Sequence, residues 1–342
     1  MQQQDKLTPV VVLGTGFNRQ LLPTMDHKSD DDHQLLKPLV DWQALLRETA
    51  MRSGALAAYN PYLCERPTLF WDELVRCQVA LQGGASSPLA AFRTELQLKK
   101  ETARILTEAV QHARQNSLLK TGLWDEFWAA APPDIVSLNF DTLVLGNLKA
   151  TVRLPSKDEK APYLLEADSK RVWYPHGCIK RPQTIHLGLR DYGFAPENWT
   201  DLINDFKGHQ RELGNAGGRT STKRNHSRSR SHHVMVRRLL DNKLSRDQAY
   251  IGRLLLAPLI FFGAGLSRDE WGWWWLLNQR ARNLARVQES DRPPTVIIKS
   301  SRDPEAAFWA SSPAGVRTLF VDDWQSGWQV LLKWLQDKRN WN

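Results

Sequence analysis

Apolar positions along the chain fall into two rhythms. Short, nearly continuous apolar runs occur at Val10 to Leu13 (VVVL), Asp134 to Leu138 (DIVSL), Arg171 to Tyr174, Leu259 to Phe262 (LIFF), Thr295 to Ile298 and Val316 to Val321. Runs of this length, bounded by Gly, Pro or Ser, read as buried strands of a parallel sheet. Between them the spacing changes to three and four residues. Leu35 to Leu119 is mainly helical, most clearly from Leu89 to Leu119, where Ala, Leu and Val recur among Lys, Glu, Arg and Gln with no proline. Helical spacing returns at Val234 to Ala257, Trp271 to Val287 and Trp324 to Lys338, and Asn204 to Glu212 is a further candidate helix. Short buried strands alternating with helices predict an α/β fold: a Rossmann-like, mainly parallel sheet with helical insertions. No solenoid-type repeat is visible.

A single domain accommodates 342 residues. Its Rossmann-like core is expected at 8–26, 131–187 and 257–342, interrupted by a helical insertion at 27–130 and a basic, partly disordered insertion at 188–256. Arg181 to Trp199 is loop-like, and Gly214 to His233 has almost no apolar content. Charge sharpens this division. Residues 1–150 carry 15 Lys/Arg against 17 Asp/Glu, whereas residues 207–253 carry 12 basic and 3 acidic side chains, so one segment accounts for the whole net charge of +9. The basic character therefore describes an insertion rather than the protein at large.

Three cysteines, Cys64, Cys77 and Cys178, include no CxxC pair, which excludes a zinc ribbon and suggests a reducing compartment. No apolar run is long enough to span a bilayer, and the polar start MQQQDKLTP does not resemble a secretory signal. A cytoplasmic protein without a membrane partner is expected.

Candidate chemistry lies where the predicted strands end. Gly14-Thr15-Gly16 follows the first strand, the context in which glycines let backbone approach a pyrophosphate at a helix N-terminus. The third glycine of a full GxGxxG is missing because Arg19 occupies it, so a tight turn without a ligand is equally compatible. A second strand-to-glycine turn at Gly263-Ala264-Gly265, followed by Ser267 and Asp269, fits a sheet edge gripping an extended ligand. Asn139 and Asp141 follow the DIVSL strand. Asp141 could simply cap a helix starting at Thr142, while a buried Asn139 needs partners. His176, before Gly177 in an aromatic and apolar segment, could be structural or catalytic.

Taken together, these segments resemble the sirtuin superfamily, and most closely its bacterial sirtuin-like branch of NAD hydrolases in anti-phage defence. GTGFN (Gly14, Thr15, Gly16, Phe17, Asn18) is similar to the family's GAGxS loop, LNFDTL (Leu138 to Leu143) to its TxN(Y/F)DxL segment, HGC (His176 to Cys178) to its histidine-glycine motif, and FFGAGLSRDE (Phe261 to Glu270) to a later G-x-S segment with an acidic residue soon after. The cysteine count leads us to expect no metal. The resemblance covers four short motifs between residues 10 and 270 and implies NAD as substrate. It implies that Asn139 holds the nicotinamide ribose or a water, that His176 is a general base on a ribose hydroxyl, and that Asp141 helps position the site. Gly14, Thr15, Gly16, Phe17 and Asn18 would face the pyrophosphate and nicotinamide end, and Gly263, Gly265 and Ser267 the adenosine side. It further implies release of nicotinamide and ADP-ribose, a defence role by abortive infection, and a second protein subunit acting as sensor or regulator. The deacylases of this superfamily carry a four-cysteine zinc module that this chain cannot build, which favours water as nucleophile. A non-catalytic nucleotide-binding or assembly subunit remains the alternative, ahead of a deacylase.

Three other features complete the picture. Asp26 to His33 (DHKSDDDH) is dense in potential metal ligands but reads as a solvated connector. Arg219 to Arg238 holds seven Lys/Arg and no acid; it suits nucleic-acid phosphates, an acidic partner or plain solvent. Trp271, Trp273, Trp274 and Trp275 point all round one helix, which suggests either an aromatic core or a homo-oligomer interface.

Overall fold

The protein is described from a computed structural model covering residues 7–22, 30–54, 67–81, 87–153, 162–188, 201–207, 234–266, 270–285 and 287–337. Eight strands form one sheet: β1 (Val10–Leu13), β2 (Asp134–Ser137), β3 (Thr151–Arg153), β4 (Tyr163–Ala167), β5 (Lys170–Tyr174), β6 (Leu259–Phe262), β7 (Thr295–Ser300) and β8 (Arg317–Val321), in the order β3-β4-β5-β2-β1-β6-β7-β8. The six strands from β5 to β8 are mutually parallel. Counted in chain order they run 3-2-1-4-5-6, the Rossmann arrangement, whose strand order reverses beside the first strand. The expected α/β, Rossmann-like class therefore holds.

The antiparallel edge hairpin was not legible in the strand pattern. β4 and β5 are joined by two residues, Asp168 and Ser169, which both adopt positive φ (47° and 62°). A tight hairpin whose turn matches the right-handed strand twist requires this, and Asp tolerates it better than most residues. The signal is weaker than Asn-Gly because Ser169 is no specialist for the left-handed region. The strand at Arg171 to Tyr174 is thus the second half of a hairpin as well as the third parallel strand.

Side chains alternate between two buried cores. Val11, Leu13, Ile135, Val172, Ile260, Phe262 and Ile298 face one; Val10, Val12, Val136, Trp173, Leu259, Phe261 and Ile297 face the other. On the first face lie α1 (Thr15–Leu21), α2 (Asp30–Leu36), α3 (Trp42–Arg52), α4 (Pro67–Leu81), α5 (Pro88–Gln115), α6 (Thr121–Ala130) and, from the far end of the chain, α12 (Trp324–Gln336). The second face is covered by α7 (201–207), α8 (234–240), α9 (Arg246–Leu256), α10 (Trp271–Leu284) and α11 (Ala306–Ala310). Helix boundaries follow their caps. Ser87 accepts the Ala90 N–H ahead of Pro88, Ser245 and Gln248 form a reciprocal capping box, and Asp323 accepts from Ser326.

The segments read as insertions thus supply the layers themselves. Leu45, Leu46, Leu98, Ile105, Leu106 and Val110 are buried in the first core. Within 188–256, Leu202, Ile203, Phe206, Met235, Leu239, Tyr250, Ile251 and Leu254 are buried in the second. Residues 208–233, which contain most of the basic run, lie outside the described residues. Among the tryptophans of α10, Trp273 is buried edge-on to Phe261 and Trp274 stacks on Trp309 at 5.4 Å, with Trp275 packed against the same core. The aromatic-core reading accounts for these three; the Trp271 side chain lies outside the description.

Candidate functional site

The C-terminal ends of β5, β2, β1 and β6 lie next to one another in the sheet, and every candidate residue follows one of them. An open parallel sheet binds ligands at this edge, where the strand order reverses. Here the reversal falls between β1 and β6, so the Gly14 and Gly263 turns flank it.

These two turns pack directly on each other. The Gly14 N–H donates to Phe262 O (3.0 Å) and the Gly16 N–H to Gly263 O (3.1 Å). A Cβ on Gly14 would collide with the Gly263 carbonyl, one on Gly16 would stand 2.5 Å from Gly263 Cα, and one on Gly263, at φ +65°, would meet Phe17 N at 2.5 Å. Glycine is therefore required at these positions for backbone contact between strands β1 and β6, whatever ligand is bound. Gly16 and Phe17 spend their N–H groups within the protein, on Gly263 O and Gly14 O, which leaves only part of an anion cradle at the start of α1. Gly265 differs, because none of the described residues lies within 4 Å of its Cβ position. Its carbonyl is anchored by Lys299 Nζ at 2.6 Å. Ser267 lies outside the described residues.

Asn139 is 8% exposed and its Nδ2 donates to Gly14 O at 3.1 Å, joining the β2 end to the β1 end. Asp141 is buried. Its Oδ1 accepts the Leu143 N–H (2.8 Å) and its Oδ2 accepts Asn18 Nδ2 (2.7 Å). It caps a single 3-10 turn, Leu143–Leu145, rather than a full helix. Burial raises its carboxyl above the usual range, opposed by those two hydrogen bonds and by the Arg114 guanidinium. Asn18 is 1% exposed and its Nδ2 also donates to Leu39 O at 2.9 Å, while its buried Oδ1 has no hydrogen-bond partner among the described residues. Phe17 is wholly buried against Phe127 and Trp328. Thr15 and Asn139 line one narrow crevice with Asp41, Trp42, Phe140 and Asp141, of about 20 Å³. That is room for about one water, far below the several hundred Å³ of a typical small-molecule pocket.

The loop after β5 is tied to this crevice by Ile179 N–H donating to Phe140 O at 2.9 Å. Gly177, at φ +88°, turns the chain where a Cβ would strike the Thr184 carbonyl. His176 is thereby folded inward, with its own carbonyl accepting the His186 N–H at 2.9 Å. Burial, and secondarily the neighbouring His186, depress its pKa to about 3, so the ring is neutral near pH 7. Cys178 is buried and its thiol is pushed up to about 12 by burial, which makes it unreactive.

One residue that the sequence did not single out joins the group. Glu270, which precedes α10, brings Oε2 to 4.0 Å from His176 Nε2. It makes no side-chain cap to its own helix, its Oε2 has no hydrogen-bond partner among the described residues, and burial pushes its carboxyl up to about 7. The only hint in the sequence was its place at the end of FFGAGLSRDE; an acid before a helix otherwise reads as an ordinary first-turn charge. Elsewhere, Asp32 pairs with His112 Nε2 at 2.6 Å, linking α2 to α5, and no group of metal ligands occurs among the described residues. Asp26 to Ser29 lie outside them.

No family model, no curated protein and no solved structure matches this chain.

Proposed function

We propose that the protein is a sirtuin-like NAD hydrolase that cleaves the nicotinamide–ribose bond, giving nicotinamide and ADP-ribose. One observation carries this reading. Asn139 and His176 follow the neighbouring strands β2 and β5 at the C-terminal edge of a 3-2-1-4-5-6 sheet, near the strand reversal where such sheets take dinucleotides. In this reading Asn139 orients the nicotinamide ribose or a water, and the neutral imidazole of His176 accepts a proton. Asp141 acts behind them by fixing Asn18 and the turn that carries Asn139. Cleavage passes through an oxocarbenium-like state, as in glycoside hydrolysis, and a well-placed base contributes ~10²–10⁴-fold. Gly265 offers the unobstructed backbone for the adenosine half. A protein deacylase is disfavoured because three cysteines cannot build a four-cysteine module.

The narrow crevice suits an enzyme held closed until released. Unrestrained NAD hydrolysis would kill its host, so the proposal includes a regulator, most simply a second protein subunit, and a role in anti-phage defence. Contacts of the basic stretch Arg219 to Arg238 with nucleic acid, and assembly into a homo-oligomer, are further parts of the proposal. The same narrowness favours the rival, a non-catalytic nucleotide-binding subunit.

The deciding experiment supplies NAD to the purified protein, alone and with co-purifying partners, and measures nicotinamide release. Asn139→Ala and His176→Ala are each expected to lower the rate by about 100-fold or more, measured at a temperature where each variant is shown to remain folded. Turnover unaffected by either substitution would sink the proposal, and tight NAD binding without turnover under any activator would select the rival.

A further inference from the structure

A different cluster occupies the other end of the strands. The ladder register sets Thr151 of β3, Glu166 of β4, Arg171 of β5 and Asp134 of β2 side by side. Residues in register across a sheet project from the same face, here the face that carries Leu164 and Trp173 into the second core. Beside this row, Asn242 after α8 and Arg253 of α9 wall a surface cavity of about 650 Å³, which Lys149, just before β3, also lines. A second cavity, of about 380 Å³, runs over Leu164 and Trp173 to Leu239, Leu244 and Ala249. Both are lined by Glu166, Arg171 and Asn242, so the two form one groove. Each has the volume of a small-molecule pocket.

Charge in this groove is not balanced. Glu166 is paired with Arg153 at 2.7 Å. Lys170 turns its amine to the other face of the sheet, onto Ala131 O at 2.8 Å and over the Trp128 ring, and Asp168 accepts from the same indole. Arg171 and Arg253 share a single carboxylate, Asp134, which leaves one positive charge over. Lys149 adds a second: it is exposed and has no hydrogen bond or ion pair among the described residues. Arg171 spends one guanidinium nitrogen on Asp134, makes no other side-chain hydrogen bond among the described residues, and is 26% exposed. The side chains of Thr151 and Asn242 likewise have no hydrogen-bond partner among the described residues. A guanidinium and an ammonium with spare N–H donors, flanked by a hydroxyl and an amide, suit the several acceptor oxygens of a phosphate.

We propose that this groove binds a phosphorylated small molecule of the size of a nucleoside diphosphate. Its phosphates lie against Arg171 and Lys149, with Thr151 and Asn242 donating to them. Its uncharged body extends into the second cavity, along Leu239, Leu244 and Ala249. Arg246 lines that end, over the Trp173 ring at 5.5 Å and donating to Pro162 O at 2.6 Å. A wholly apolar ligand would leave the spare charges unanswered, and a bare phosphate would leave the second cavity unfilled. The groove is distinct from the candidate site. Arg171 stands near the start of β5 and Asp134 at the start of β2, whereas Asn139 and His176 follow the ends of those strands. Four residues of β2 span ~13 Å. The proposal therefore does not rest on the NAD hydrolase reading.

The test is calorimetric titration of the full-length protein with ADP, pyrophosphate and adenosine at fixed ionic strength. ADP is expected to bind more tightly than pyrophosphate, and adenosine at least about tenfold more weakly than ADP. Lys149→Glu and Asn242→Asp alter exposed side chains with no hydrogen bond to lose, and Asp tolerates the positive φ of 52° at position 242. Each is expected to raise Kd for ADP about tenfold or more, with the thermal midpoint unchanged. Arg317→Glu changes net charge as much as Lys149→Glu, but on exposed β8 at the far side of the sheet; it should leave Kd within about twofold. Absence of ADP binding overturns the proposal, as does a Kd indifferent to Lys149→Glu and Asn242→Asp. Equal weakening by Arg317→Glu would reduce the effect to diffuse attraction and overturn it too. Adenosine binding as tightly as ADP overturns the phosphate assignment, and binding of a short single-stranded oligonucleotide without ADP would assign the groove to nucleic acid instead. A protein that hydrolyses no NAD but shows the expected pattern overturns the hydrolase reading alone.

Discussion

Asn18 shows how much a single side chain behind the site can carry. Its amide donates to the buried carboxylate of Asp141 (2.7 Å) and to Leu39 O (2.9 Å), binding α1 to the β2 turn and to the residues before α3. Asn18→Leu leaves a buried, already desolvated carboxylate short of a donor, which costs about 1–3 kcal/mol. Asn18→Asp adds like-charge repulsion and should cost more. Urea denaturation checks both; an unchanged midpoint for Asn18→Leu would show that the pairing contributes nothing. In the sequence, Asn18 reads as a ligand-facing residue because it stands in a glycine-rich turn. Its actual partner lies 123 positions away, a separation no local pattern can encode. Glu270 was hidden for the same reason, since its meaning depends on His176 arriving from another strand.

At the level of elements, the two glycine turns are physically different despite their similar sequences. Gly263→Ala forces a Cβ to 2.5 Å from Phe17 N at a φ of +65°. It is expected to destabilise the protein by about 2 kcal/mol or more. Gly265→Ala meets none of the described residues within 4 Å. It should leave thermal stability within about 0.5 kcal/mol of wild type while weakening NAD binding, read by calorimetry, if the adenosine half lies against it. Equal losses of stability in the two variants would refute this distinction. The strands themselves were legible, because β1, β2, β6 and β7 are buried on both faces and so nearly continuous in apolar residues. The β3–β4 edge was not, because β3 is exposed throughout and its partner turns on Asp168-Ser169. Most helices were read in place, but the short α11 was not, Val234 to Ala257 is divided into α8 and α9 by the Ser245 cap, and the end of the Asn204 to Glu212 reading lies outside the described residues.

Across the whole molecule, the sheet is fastened to its second helical layer by one buried acid. Asp134, 1% exposed, accepts Arg171 from β5 (2.8 Å), Arg253 from α9 (3.0 Å) and the Trp173 indole N–H (3.1 Å). Asp134→Ala removes the shared partner of two guanidiniums, one of them nearly buried, and is expected to cost about 3–5 kcal/mol. Calorimetric unfolding measures it; a loss below about 1 kcal/mol would mean that water satisfies both arginines. The cluster lies at the sheet edge opposite the candidate site, so Asp134→Asn, which keeps a partner for both, should spare NAD binding. No helix among the described residues is long and apolar enough to cross a membrane.

The sequence by itself determined the class of fold, the position of most strands and helices, and the four short segments that follow the C-terminal ends of adjacent strands. It could do so because buried strands, amphipathic helices and strand-end turns are local patterns, imposed by burial on contiguous residues. Only the tertiary structure decided which of those segments meet. It joined Asn18 to Asp141, turned three of the glycines into contacts between strands, packed the segments at 27–130 and 188–256 into the two helical layers and brought Glu270 to 4.0 Å from His176. Each of these depends on the order of strands in the sheet, which joins residues far apart in sequence and leaves no periodic trace along the chain.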